Sequence, residues 1–293
     1  MKTKNINLKV SFIFFFMGSL FLFSCGKETE YINVPGESAS TGKAKLIFDA
    51  RYGDEDFKLN TAYDYKVSGA NGTIDLKYEF SQLRYWISNV SLITTTGEEV
   101  NIPDAYYLVE ENIEIPVQGG SHNKQYPANK REEIAIEHIP SGEYKAIRFG
   151  VGVDSRYNDN LSLRAGELSS LNGMAFEEWM WFTSYKFFVL NGKMTWVKPA
   201  PQAAVSQAFF WDYASNDLYS KKEIQFEKNI VIDAQQIPSV AMEVDVKKLV
   251  NVDDPWNNSV ISQTKKALMI RLKDNFINSA ITLKNTSSAP VKN

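Results

Sequence analysis

The sequence is poorest in the residues that usually build metal and nucleophilic chemistry: one cysteine and two histidines in 293 residues. A single thiol, Cys25, excludes internal disulfides and zinc-thiolate sites. Two imidazoles, His122 and His138, are few for a copper(II) ion, which prefers two or more nitrogen donors. Basic charge is not in excess either, with Lys+Arg 32 against Asp+Glu 35, so nothing suggests a nucleic-acid partner. Enzyme signatures are missing: there is no phosphate-binding glycine loop, no Gly-x-Ser-x-Gly elbow and no His-Glu-x-x-His. The expectation is a protein that is not an enzyme. A paired-carboxylate glycosidase stays open, because such pairs meet only in the fold. The apolar run at residues 10–23 is too short to cross a bilayer as a helix, which takes about 20 residues.

What is present at the start is an export signal. Lys2, Lys4 and Lys9 precede that apolar run, which ends in Leu22-Phe23-Ser24-Cys25. The ending resembles a bacterial lipobox, in which Cys25 is lipidated; an ordinary signal peptide with an incidental cysteine is the alternative. Residues 1–24 are then a lipoprotein signal peptide and residues 25–42 a flexible tether, polar and carrying Pro and Gly. Glu28 and Glu30 resemble the surface-export signals of Bacteroidetes lipoproteins. The expected location is the cell envelope: an outer-membrane lipoprotein, periplasmic or surface-exposed, held by its lipid. With no disulfide, the exported chain must be held by its core. About 269 mature residues are enough for one.

From Lys43 onward apolar residues alternate. Ala44, Leu46 and Phe48 share a face, as do Ile74, Leu76, Tyr78 and Phe80; Ile147, Phe149, Val151 and Val153; and Val240, Met242, Val244 and Val246. Period-two patterning with β-branched and aromatic residues predicts half-buried strands. Turn-like separators fall at residues 68–72, 95–99, 140–143 and 191–193. Without a βαβ rhythm, this predicts an all-β, antiparallel sandwich or barrel-like single domain over residues 43–285. One helix is expected around residues 265–275, where Leu268 and Leu272 lie four apart, and a helical turn after "EVDVKKL". Residues 286–293 read as a frayed tail.

Several segments, in order, carry a resemblance: "KAKLIFDARYGDEDFKLN", "FSQLRYWISNVSLITTTGEEV", "IPSGEYKAIRFGVGVDSRYN", "GMAFEEWMWFTSYKFFVLNGK", "MEVDVKKLVNVDD" and "DNFINSA". Together they resemble the MbnP-like family of copper-binding proteins, many of them Bacteroidetes lipoproteins. The resemblance implies a β-sandwich-like fold, copper as cofactor, and a tryptophan that a partner di-haem peroxidase can oxidise to kynurenine. The sequence also departs from the family pattern. A histidine is common near the end of the first strand, where Ala50 and Arg51 stand here. Another is common where this chain has Trp211 and Asp212. The Trp strand usually continues Asn-Ser-Gly, and here it reads Phe182, Thr183, Ser184.

The candidate site residues are weighed against ordinary packing. Trp179 and Trp181 are two apart, so a strand would place both indoles on one face. Core packing is the plain account, and Trp181 is the residue to test for oxidation. Met174 and Met180 flank that segment; a thioether suits Cu(I), and equally fills a core. His138 falls near a strand end, beside the 140–143 turn, on the same face as Ile134 and Ile136, as a rim histidine would. Asp154, Asn158, Asp159 and Asn160 lie within seven residues and could offer oxygen ligands to Ca²⁺, or form an Asx-rich turn. The metal candidates are therefore His138, Met180 and Asp154. Two functions stand: copper handling beside a di-haem peroxidase, or a surface binding or scaffold domain that keeps the fold without the copper histidines.

Overall fold

In a computed structural model the structure describes residues 40–69, 72–117, 124–176, 184–197 and 201–291. Strand β1 (Thr41–Tyr52) opens the fold, followed by β2 (Ala62–Gly69), the 23-residue β3 (Gly72–Thr94), β4 (Tyr106–Asn112), β5 (Glu133–Pro140) and β6 (Gly142–Val151). Then come β7 (Ser184–Val197), β8 (Val205–Ala214), β9 (Ser220–Ile232), β10 (Gln236–Asp245), helix α1 (Lys266–Asp274) and β11 (Ile281–Pro290).

A five-stranded sheet runs β5-β1-β10-β11, with Glu55–Asp56 also paired to β1. An eleven-stranded sheet runs β9-β6-β3-β7-β8 and ends on Val260–Ile261. Its hub is β3, which also pairs with β2, β4 and Glu99–Asn101. The expected sandwich is what forms. Most pairs are antiparallel; β1 with β10, and β8 with Val260–Ile261, are parallel.

The alternation predicted from sequence sets the faces. Ala44, Leu46, Phe48, Ala50 and Tyr52 point inward from β1, and Val240, Met242 and Val244 from β10. Phe48 meets Phe149 at 5.7 Å and Tyr85 at 6.0 Å between ring centroids, which joins the two sheets edge to face.

Three expectations are corrected. Residues 286–290 are no frayed tail: Thr286 pairs with Val240 and Pro290 with Gln236. Their polar side chains fit a solvated edge strand, which polarity alone does not distinguish from a tail. Residues 41 and 42, expected to end the tether, belong to β1 instead, with Thr41 opposite Pro140. Residues 191–193 make no turn but lie inside β7, at a register shift. Gly192 is needed because a Cβ there would stand 2.2 Å from the Glu79 carbonyl oxygen. The helix appears at Lys266–Asp274 and continues as a π-helix through Asn275–Ala280. Among the described residues no helix is long and apolar enough to cross a membrane.

Candidate functional site

Two neighbouring registers of the large sheet define the region. In one, Val109, Tyr85, Phe188 and Tyr213 pair across β4, β3, β7 and β8 and face the small sheet. In the next, Glu110, Arg84, Val189 and Asp212 pair across the same strands and face the opposite way. That second row is roofed by the excursions after β4 and β6. Arg84 is fully buried and bidentate on Glu110, with Nε at 2.9 Å and Nη2 at 2.7 Å from Oε2. Its Nη2 also donates to the Asn172 carbonyl at 2.7 Å, and the Tyr126 ring lies 4.7 Å from the guanidinium carbon. The Tyr126 hydroxyl and the Asn129 amide donate to Glu110 Oε1 at 2.7 and 2.8 Å. Burial first, and the Glu110 carboxylate second, push the Tyr126 phenol up to about 12.

At the other end of the row stands Asp212. Lys186 Nζ lies 3.6 Å from its Oδ2, and both side chains are largely buried. Its Oδ1 is buried without a hydrogen bond. Burial raises the Asp212 carboxyl above the usual carboxylate range, and Lys186 offsets only part of that.

The Ile-Ser-Asn segment of β3 meets the Gly-Val-Asp segment that follows β6. Asn89 Nδ2 donates to Asp154 Oδ2 at 2.9 Å and contacts the Tyr219 hydroxyl at 2.8 Å. The Tyr106 hydroxyl closes on the same Asp154 oxygen, and the Arg156 amide caps Oδ1 at 3.1 Å. Asn89 holds a left-handed φ of 46°, which asparagine tolerates better than most residues. Asp154 is thus a helix cap and a loop anchor, with both oxygens engaged.

The four oxygen-bearing residues proposed for Ca²⁺ do not converge. Asn158 accepts from the Tyr185 amide at 2.8 Å, Asp159 accepts from Asn216 at 2.8 Å, and Asn160 caps Ser162. His138 is also displaced from the face of Ile134 and Ile136. Between Ile136↔Ala44 and Ile139↔Gly42 the ladder shifts by one residue, and His138 takes φ 59° at that bulge. It is exposed, while Ile139 takes the inner position. Ala50 and Trp211 fill the core from different sheets, and the Trp211 indole donates to the Asn258 carbonyl at 2.8 Å. Met174 is buried, as a core filler would be. Cys25, His122, Trp179, Met180 and Trp181 lie outside the described residues. What flanks the last three is ordered by pairing: Ala175 with Tyr185 and Phe176 with Ser184. Among the described residues no group of three or more His, Cys, Asp or Glu side chains could hold a metal ion.

Sequence reading missed the buried charges. Arg84 sits inside "QLRYWI" and Glu110 inside "YLVEENI"; a charge flanked by apolar residues on a strand is the signal that could have found them.

The family model MbnP matches residues 41–270. No curated protein matches the chain. A solved structure, MbnP from Methylosinus trichosporium, aligns over 86% of this chain and 99% of its own, at 14% identity and a TM-score of 0.44, too loose a likeness to argue from. With the family model covering most of its length, the chain belongs to the MbnP family.

Proposed function

We propose that this chain is a cell-envelope lipoprotein, anchored through Cys25, whose MbnP domain is a non-enzymatic surface binding or scaffold domain in which copper is not held by histidines. The observation that carries this reading is the Lys186–Asp212 pair. Asp212 stands where the family resemblance expects an imidazole, and an ammonium group already lies 3.6 Å from its carboxylate. A copper ion there would have to displace a built-in cation and would find no nitrogen donor on Asp212. The other residues fit copper no better: His138 is exposed at a bulge, and both Asp154 oxygens are committed.

A second reading is kept by one specific observation, the ordered Ala175–Phe176 pairing that brackets residues 177–183. In that reading Trp181, Trp179 and Met180 serve copper handling beside a di-haem peroxidase. Copper titration of the unlipidated Cys25→Ser protein separates the two. The binding or scaffold reading expects unchanged visible spectra and melting temperature at micromolar copper. It also expects an intact mass free of the few-dalton shift that kynurenine would add. A copper absorption band with a raised melting temperature would replace it with the second reading.

A further inference from the structure

We draw no further inference here: the strongest candidate, the surface patch along the edge of β8 where Val205, Phe210 and Val260 are exposed, is an apolar strip of the large sheet, and nothing in the structure shows what covers it.

Discussion

The two ends of one cross-strand row treat a buried charge differently. At the Arg84 end, the carboxylate of Glu110 receives both guanidinium contacts, a phenol and an amide. At the Asp212 end Lys186 stands at 3.6 Å, and among the described residues one carboxylate oxygen has no hydrogen-bond partner. The sheet face is shared, but the first pair is the more deeply buried, and the roofing loops bring it further partners. Over Arg84, the loops supply Tyr126, Asn129 and the Asn172 carbonyl. The first end is a staple that fastens three segments. Each end keeps one buried atom without a hydrogen bond among the described residues, Arg84 Nη1 and Asp212 Oδ1; what sets the second apart is its longer ion pair.

The largest effect should come from cutting the staple. Arg84→Met leaves Glu110 buried with its main cation gone, at a cost of about 3–5 kcal/mol in chemical denaturation. Changing Glu110 to Gln in the same chain should return part of that loss. If Arg84→Met unfolds at the parent's denaturant midpoint, the pair is no staple.

Lys186→Met should cost less, about 2–3 kcal/mol at neutral pH, because the pair it breaks is already loose. Here pH gives a sharper reading. The Asp212 carboxyl is raised in the folded state, so folding favours its protonated form. The penalty of the buried anion is therefore full above the folded value, and fades as pH falls through it toward the ordinary carboxylate value. The variant's deficit should shrink on acidification across that window. A deficit that stays constant from neutral pH to about pH 4 would place the charge cost elsewhere.

Gly192→Ala should rank third, at about 1–3 kcal/mol, since its Cβ would strike the Glu79 carbonyl from 2.2 Å inside a paired strand. This residue marks what was legible in the sequence. Alternation gave the faces of β1, β6 and β10, because burial on one side leaves a period-two trace. The Asn-Gly-Lys at residues 191–193 carries the same letters as a hairpin turn. What makes it a strand is a neighbour, Glu79, more than a hundred positions away. The same holds for the site. Asp154 groups with Asn158 and Asp159 only by nearness in sequence. Its partners, Asn89 and Tyr106, come from other strands. Local pattern reports which face is wet, and only the ladder reports which charges meet.

The smallest effect, and the one that bears on the metal question, concerns His138. It holds φ 59° on an exposed bulge, where glycine meets no Cβ penalty. His138→Gly should therefore be neutral or stabilising, within about 0.5 kcal/mol, because relief of strain opposes the added freedom of the unfolded chain. A rim histidine bound into the inner face would behave otherwise: its loss would unpack Ile134 and Ile136 and cost more than 1 kcal/mol. Copper adds a second axis. If the exposed imidazole takes no part in a site, spectra recorded with and without copper should be superimposable between parent and variant. A copper-dependent rise in melting temperature that disappears with His138 would put this bulge, and not the roofed row, at the centre of the protein's chemistry.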